Sequence, residues 1–308
     1  MKPIEFVVVA FRSERQLPSC LDAIEAERPG GAGIIVIDNA SPDRSGAVAG
    51  QHRSRPQVIR SERNLGFGGA CNLALAATTA EFVFFINPDA RIHAGTTSKL
   101  VAALETGPDI AAVGPRIQDP TGAARAASAG SEPSIRSAVG HFLLLGRAPL
   151  IGGAFPPFQL SESAPSQFVD WASAAALLCR TKALREVHGF DASLFLYMED
   201  VDLCRRLRAT GYRIWYESGA TVEHDLGGSQ GVEQPKRWYA AFHRYVARTR
   251  GTNHARAVDA IAAIGLGARA VVLRRRHPVH GKRLAIAAIE ALRSAGSRKT
   301  KEPGPLRE

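Results

Sequence analysis

Short apolar runs alternate with helical segments over the first ninety residues, and this order constrains the fold more than any other feature. Strands are predicted at 5–10, 34–37, 57–60 and 82–86, and helices at 14–27 and 66–77. Strands joined through helical crossovers form parallel sheets covered by helices on both faces. The sequence therefore predicts an α/β fold with a doubly wound, mostly parallel sheet.

The fourth predicted strand ends at the turn Asn87-Pro88-Asp89. In open α/β sheets, ligands bind at the carboxyl ends of the strands. A carboxylate at this position could hold a divalent metal against a pyrophosphate, because Mg²⁺ and Mn²⁺ accept oxygen ligands. An isolated tripeptide of this kind is more often a simple turn, so the interpretation depends on the other motifs.

Two further motifs lie where nucleotides bind in such sheets. Asp38 ends the second predicted strand, where it could accept a hydrogen bond from a base or a ribose, or form only an Asx-turn or helix cap. The segment 63–70 is a glycine-rich turn into a helix, but it follows the third strand and lacks the G-x-G-x-x-G spacing. This disfavours a Rossmann dehydrogenase and leaves backbone contact with a nucleotide open.

Acidic residues begin a predicted helix at Glu199, Asp200 and Asp202. The helix dipole stabilises acidic side chains in a first turn, so a structural role is the default interpretation. The preceding residues 195–198 are apolar, and a carboxylate beside them could serve as a general base. His224 could be an ordinary histidine at a strand end or a metal ligand.

The positive charge is concentrated in the tail. Residues 231–308 carry 17 Lys and Arg against 5 Asp and Glu (+12), whereas residues 1–230 carry 22 against 24 (−2). We expect the basic tail either to contact an anionic membrane through 251–308 or to form a solvated helical cap. The residues predicted to make that contact are Arg274, Arg275, Arg276, Lys282 and Arg283. No nucleic-acid-binding motif is recognisable, so nucleic acid is not an expected partner.

Four cysteines are widely separated and form no C-x-x-C pair, which favours a reduced, cytoplasmic protein. The first residues enter a predicted strand at once, so we expect no signal peptide. The most apolar later stretches, 142–155 and 260–273, fall short of the ~20 residues that a membrane helix needs. The expected location is the cytoplasm, with peripheral contact at the inner face of the plasma membrane left open.

Seven sequence pieces, taken together and in order, resemble glycosyltransferase family 2, the inverting nucleotide-sugar transferases with a GT-A fold. The pieces lie at 35–41, 63–72, 85–89, 170–174, 189–191, 195–205 and 222–224. The resemblance covers about residues 4–246 and is strongest to bacterial rhamnosyltransferases, which build cell-wall linkers and O-antigens. It implies a catalytic domain over 1–230, with a nucleotide-sugar half (1–115) and an acceptor half (116–230), followed by a basic helical extension (231–308).

The resemblance also implies residue roles. Asp200 matches the catalytic base and Glu199 the residue that orients the acceptor, while Asp89 and His224 match the contacts to a metal, Mg²⁺ or Mn²⁺. The implied donor-binding residues are Asp38, Asn39, Asn64, Gly66, Asn72 and Asn87, and the implied acceptor-binding residues are Trp171 and Ser173. Asn87 replaces the first acid of the family's D-x-D motif, so one carboxylate of that motif remains to hold the metal.

The implied activity is sugar transfer, with dTDP-L-rhamnose as the expected donor and UDP-sugars as the alternative. The implied acceptor is a glycan or a polyprenyl-diphosphate-linked saccharide of cell-envelope synthesis. A non-catalytic nucleotide-sugar-binding paralogue is the rival interpretation. The joint presence of Asp89, Glu199, Asp200 and His224 argues against it, because a silent copy has no physical need for all four.

Overall fold

The computed structural model describes residues 3–120, 128–148, 150, 152–161, 163–225, 234–274 and 278–296. The chain forms two compact units. The first comprises Met1–Glu132 and Gln159–Ser229, and the second comprises Pro133–Phe158 and Gln230–Glu308. The segment Pro133–Phe158, which the sequence analysis assigns to the acceptor half, belongs instead to the second unit.

The first unit is built on a nine-stranded mixed sheet. In chain order the strands of this unit are β1 (Ile4–Ala10), β2 (Gly33–Asp38), β3 (Gln57–Arg60), β4 (Phe82–Ile86), β5 (Ala90–Ile92), β6 (Ile110–Gln118), β7 (Ala129–Gly130), β8 (Gln167–Val169), β9 (Trp171–Ala172), β10 (Ala176–Arg180) and β11 (Arg213–His224). The sheet order is β3-β2-β1-β4-β10-β6-β11-β5 with β8 beside β11, while β7 and β9 form a separate pair. β1, β2, β3, β4, β6 and β11 run in one direction, and β5, β8 and β10 oppose them.

Helices cover this sheet and build the second unit. In chain order they are α1 (Leu17–Glu27), α2 (Ser45–Gln51), α3 (Gly66–Ala77), α4 (Thr96–Glu105), α5 (Ile135–Phe142), α6 (Thr181–Glu186), α7 (Glu199–Ala209), α8 (Gln234–Arg250), α9 (Thr252–Leu273) and α10 (Pro278–Gly296). Helices α5, α8, α9 and α10 belong to the second unit. The predicted doubly wound sheet and the helical tail are confirmed, and the elements predicted in the first ninety residues are all present.

The central strands have the composition that burial on both faces requires. Every residue of β4 is buried, and so is almost every residue of β1. Phe6 and Phe84 are in contact on one face, with ring centroids 5.6 Å apart. Because neither face meets water, these strands are continuous apolar runs rather than alternating ones, which is why the sequence identifies them so clearly.

One edge of the sheet collects the predicted site residues. The parallel strands β2, β4 and β11 end there, at Asp38, Ile86 and His224. β10 is antiparallel to β4 and pairs Ala176 with Ile86, so the residues that precede β10 reach the same edge. This is the edge at which open α/β sheets bind ligands.

Aromatic contacts explain why the segment Pro133–Phe158 belongs to the second unit. Phe158 lies against Phe242 of α8 with ring centroids 5.3 Å apart, and Trp238 stacks on Phe242 at 5.2 Å. Phe142 of α5 contacts the same Phe242 ring. Burying rings of this size is among the largest favourable terms available to a small unit. The insertion therefore supplies part of the core on which α8 packs.

Among the described residues, none of the helices has both the length and the apolar content needed to cross a bilayer. Arg275 and Arg276 of the predicted basic contact lie outside the described residues.

Candidate active site

The acidic pair lies at the first turn of α7, immediately after a strained stretch of backbone. Tyr197 and Met198 both adopt left-handed conformations, with φ of 67° and 69°. Such conformations cost ~1–3 kcal/mol each for non-glycine residues, and they persist where the surrounding structure enforces them. The left-handed conformation of these two residues determines where α7 begins, and therefore the direction in which the side chains of Glu199 and Asp200 extend.

Asp200 is half-buried and well supplied with hydrogen-bond donors. Its Oδ2 accepts from the backbone N–H of Ala174 at 3.2 Å, and its Oδ1 accepts from the N–H of Val201 at 2.8 Å. The Ser173 hydroxyl also donates to this carboxylate. Burial raises the pKa of Asp200, and these hydrogen bonds oppose the rise because they favour the ionised form.

Glu199 is buried, and its Oε2 has no hydrogen-bond partner among the described residues. Burial, followed by the charge of Asp200, raises the pKa of Glu199 well above its usual value. The buried thiol of Cys71 lies nearby and is itself influenced by Glu199. The two neighbouring acids therefore differ in their surroundings: the hydrogen bonds to Asp200 favour its ionised form, whereas burial and the Asp200 charge favour the protonated form of Glu199, and such a difference suits a base beside a hydrogen-bond donor.

A second polar group forms where β4 and β11 end. His224 Nε2 lies 3.0 Å from Asp89 Oδ1 and 3.1 Å from Asn87 Nδ2. The Nδ1 atom of His224 is buried and has no partner within the described part of the chain. The backbone N–H of Asp225 donates to the Asp89 carbonyl at 3.2 Å, which ties the two strand ends together.

This group fits a metal ion that is shared with a ligand. A carboxylate oxygen and an imidazole nitrogen are both suitable ligands for Mn²⁺, and a carboxylate is suitable for Mg²⁺. Within the described ranges, no cluster of three His, Cys, Asp or Glu residues could hold a metal alone. The protein would thus supply Asp89 and His224, and a bound diphosphate or water would complete the coordination, as is usual for Mg²⁺.

The predicted donor-binding residues of the second strand shape the loop around them. Asp38 is buried, and its Oδ1 accepts from the N–H of Ser41, three residues further along the chain, at 2.9 Å. Asn39 is also buried; its Nδ2 donates to Asn64 Oδ1 at 3.0 Å and its Oδ1 accepts from the Leu65 N–H at 2.9 Å. These amides fix the glycine-rich turn against the end of β2.

The same turn is fixed to the segment that precedes the acidic pair. Gly66 has φ of 73°, and a Cβ there would clash with the Phe195 carbonyl oxygen, so both conformation and space require glycine. Asn72 donates to the Phe190 carbonyl at 2.8 Å and accepts from the Phe190 N–H at 2.9 Å. Both residues therefore hold the chain from 190 to 195 in place beside the site.

The two predicted acceptor-binding residues differ in position. Ser173 faces the acidic pair, because its hydroxyl donates to Asp200. Trp171 is buried in β9, and its indole N–H donates to the Ser131 carbonyl at 3.1 Å. Sequence reasoning missed the Ala174 N–H, and a backbone donor leaves no residue signal by which it could be found.

One cavity of the first unit lies away from these residues. It has a volume of about 720 Å³ and is lined in part by Glu81, Arg180 and Thr181. Glu81 precedes β4 and Arg180 ends the antiparallel β10, so this cavity opens at the opposite edge of the sheet. Its Arg180 guanidinium already donates to the carbonyls of Ile110 and Leu104, at 2.8 and 2.6 Å.

Comparison with known proteins gives consistent matches. The family described as Glycosyl transferase family 2 matches residues 5–149. The N-acetylglucosaminyl-diphospho-decaprenol L-rhamnosyltransferase of Mycobacterium tuberculosis is 31% identical over 241 residues, which cover 72% of this chain and 75% of that protein.

Two solved structures show the same fold at low sequence identity. The mannosyltransferase of Pyrobaculum calidifontis, solved with GDP-Man and Mn²⁺, superposes with a TM-score of 0.62 at 14% identity, covering 95% of this chain and 85% of that one. The glucosyl-3-phosphoglycerate synthase of M. tuberculosis, solved with Mn²⁺, UDP and phosphoglyceric acid, gives 0.54 at 21% identity, covering 80% and 78%. The predicted GT-A architecture is confirmed.

Proposed function

The chain belongs to glycosyltransferase family 2, and from this premise we propose that it is an inverting, metal-dependent transferase acting from a nucleotide sugar. The observation that carries the proposal is the gathering of an acidic pair and an Asp–His pair at one edge of the sheet. Asp200 has donors that favour its ionised form, and His224 lies 3.0 Å from Asp89. A base and an anion-neutralising group are the two parts that glycosyl transfer requires.

In the proposed reaction, Asp200 accepts the proton of an acceptor hydroxyl while that oxygen attacks the anomeric carbon. The bond to the nucleotide diphosphate breaks on the opposite face, so one displacement inverts the configuration. Burial and the Asp200 charge raise the pKa of Glu199 and so favour its protonated form, which donates a hydrogen bond that orients the acceptor. A positioned general base contributes ~10²–10⁴ to the rate.

Asp89 and His224 would hold Mg²⁺ or Mn²⁺, which when bound neutralises charge on the departing diphosphate. The two solved relatives contain Mn²⁺ together with a nucleotide or nucleotide sugar, which supports a divalent ion in this fold. Asn87 contributes its amide beside the His224 ring, 3.1 Å from Nε2. The remaining donor-binding proposals are Asp38, Asn39, Asn64, Gly66 and Asn72, and the acceptor-binding ones are Trp171 and Ser173.

The proposed donor is dTDP-L-rhamnose and the proposed acceptor a polyprenyl-diphosphate-linked saccharide of cell-envelope synthesis. The support is the mycobacterial relative, whose name gives both L-rhamnose and a diphospho-decaprenol acceptor. UDP-sugar transfer within the same family is the alternative, since the solved glucosyl-3-phosphoglycerate synthase holds UDP.

A donor screen tests this proposal. Nucleotide diphosphate release is measured from dTDP-, UDP- and GDP-sugars, with Mn²⁺ or Mg²⁺ and a short-chain diphosphate-linked N-acetylglucosamine acceptor. We expect release from dTDP-L-rhamnose that depends on acceptor. Release from a UDP-sugar alone would select the alternative, and donor binding without release from any sugar would support a non-catalytic paralogue.

We further propose that the second unit contacts an anionic membrane at the cytoplasmic face. Helices α9 and α10 expose apolar side chains beside basic ones. The exposed apolar residues are Ile264, Val271, Val272, Ile289 and Leu292, and the exposed basic residues are Arg274, Lys282, Arg283 and Arg293. Val271 is 77% exposed, an unusual state for valine in a water-facing helix. Such helices bind at lipid surfaces, where each nearby basic residue contributes ~1 kcal/mol.

A further inference from the structure

Arg116 of β6 is a half-buried arginine whose guanidinium has no ion pair or hydrogen bond within the part of the chain that the structure describes. Its Nε is buried and has no hydrogen-bond partner among the described residues. Other half-buried arginines of this unit are paired: Arg206 donates to Asp202 at 2.7 Å and Arg208 to Glu132 at 2.6 Å. Withdrawing a guanidinium from water without an acceptor is costly, so a ligand that supplies an anion is the physical reason to have one here.

The strand register places Arg116 on the face of the sheet that carries β9. Residues two apart on a strand share a face. A Cβ on Gly114 would come within 2.7 Å of the Ala172 Cβ in β9, so the Gly114 side of β6 faces β9. Ile117, the next residue along, is buried in the core on the other face. Arg116 therefore lies on the side of Gly114 and β9.

Hydrogen bonds of the neighbouring Ile117 connect this position to the acidic pair, and strand pairing connects it to the Asp–His pair. The N–H of Ile117 donates to Ser128 Oγ at 2.8 Å, and the Ser128 carbonyl accepts from the Ser173 N–H at 2.9 Å. Ser173 in turn donates to Asp200. On the other side, Arg116 is in register with Thr221 of β11, three residues before His224.

We propose that Arg116 binds a phosphate group at this edge of the sheet, an inference that rests on the proposed transferase function. A guanidinium presents a planar fork of N–H donors that matches phosphate oxygens, and it keeps its charge at all working pH values. The phosphate belongs either to the donor diphosphate or to the diphosphate of a lipid-linked acceptor. The chemistry is the same for both, and the experiment separates them.

The test compares Arg116→Gln and Arg116→Lys with the wild type. Arg53→Gln, at an exposed position where arginine pairs with Asp22, is the matched control. Titration calorimetry with inorganic pyrophosphate in EDTA measures phosphate binding without metal, and titration with dTDP in Mn²⁺ measures binding of the donor diphosphate. Initial rates give KM for the donor and for two acceptors that differ only in the presence of the diphosphate.

We expect Arg116→Gln to weaken pyrophosphate binding ~10–100-fold, the range for losing a charged hydrogen bond, and Arg116→Lys to recover part of it. Weaker dTDP binding with a raised donor KM assigns the donor diphosphate. A raised KM only for the diphosphate-bearing acceptor assigns the acceptor. The Tm of Arg116→Gln should equal or exceed that of the wild type, because an unmatched charge is removed.

Unchanged pyrophosphate binding and unchanged KM values would overturn the proposal. A Tm several degrees lower with binding intact would make Arg116 a structural residue and would overturn it as well. If the wild type transfers no sugar yet binds pyrophosphate through Arg116, the transferase function fails and the phosphate site stands.

Discussion

The backbone N–H of Ala174 donates to the Asp200 carboxylate at 3.2 Å. The carbonyl of the next residue, Ala175, accepts from the N–H of Asn87 at 2.9 Å. A loop of adjacent residues, entering the antiparallel β10, therefore contacts the acidic pair on one side and the Asn-Pro-Asp turn on the other. The separation between the proposed base and the proposed metal site is set by main-chain geometry, which substitution of side chains leaves largely intact.

Removal of Asp89 should abolish metal-dependent donor binding. The Asp89→Ala variant would lose one of the two proposed protein ligands, and EDTA should reproduce the effect in the wild type. Calorimetric titration with dTDP in the presence and absence of Mn²⁺ measures it, with Asp22→Ala at a surface salt bridge as the control. Full activity of the wild type in EDTA would contradict the metal assignment and would move charge neutralisation to basic side chains.

Replacement of Glu199 by Gln should stabilise the protein increasingly as pH rises. The pKa of Glu199 is raised from 4.5 in the folded protein, so the folded state retains a proton that the unfolded state releases. Its contribution to stability therefore falls as pH increases through the window above 4.5. The Asp200 charge adds to the effect of burial on the pKa of Glu199, and the Glu199 charge in turn raises the pKa of the Cys71 thiol.

Urea unfolding at a series of pH values from about 4 to 8 measures this effect. The stability difference between Glu199→Gln and the wild type should grow across the series. The control is Glu62→Gln, which makes the same chemical change at an exposed position. A difference that is constant with pH would show that Glu199 is not held protonated.

Replacement of Gly66 by Ala should destabilise more than the same change at Gly95. Both residues have positive φ, 73° and 77°, but only at Gly66 would the new Cβ meet another backbone, at Phe195; Gly95 has open space. Gly95→Ala should cost ~1 kcal/mol from conformation alone, and Gly66→Ala a further ~1–3 kcal/mol from the clash. Equal free energies of unfolding, measured in urea, would show that the close approach to Phe195 has no energetic weight.

Charge reversal on α10 should weaken membrane binding. The double variant Lys282→Glu, Arg283→Glu changes two exposed basic residues of the proposed contact. Sedimentation with anionic vesicles at low salt should show at least ~10-fold weaker binding, since each basic residue contributes ~1 kcal/mol. Added salt should weaken wild-type binding, because screening acts over ~8–10 Å.

The control for this experiment reverses two exposed basic residues of the first unit, Arg53 and Lys182, and so changes net charge equally. It should leave vesicle binding nearly intact. Equal losses in both double variants would attribute binding to net charge alone. Failure of the wild type to bind anionic vesicles would leave α9 and α10 as a structural unit.

The sequence was sufficient to predict those strands and helices that a local residue pattern specifies. β1 and β4 are recognisable because burial on both faces requires continuous apolar runs, and α3 begins at the predicted Gly66. The direction of β10 was not predictable, because the apolar run before Arg180 would suit a parallel or an antiparallel strand equally. That direction decides which residues reach the site edge.

Hydrogen-bond partners that are distant in sequence could not be predicted either. Asn72 binds the backbone of Phe190, 118 residues away, and no pattern within either segment indicates the pairing. No helix or strand is predicted from sequence within Pro133–Phe158, yet Phe158 and Phe142 are core residues of the second unit because α8 brings Phe242 to them. The buried Nε of Arg116, which has no partner among the described residues, could likewise be found only from the folded chain.

The base assignment is tested most directly by the turnover of Asp200→Asn. The amide keeps the shape and one of the two acceptor oxygens of the carboxylate, replaces the other oxygen by an NH₂ group, and cannot take a proton. We predict that kcat with the donor identified in the screen falls ~10²-fold or more while the Kd for that donor changes little, and that Glu199→Gln loses less. A parallel loss of donor affinity and turnover in Asp200→Asn, or full turnover, would contradict the assignment of Asp200 as the base.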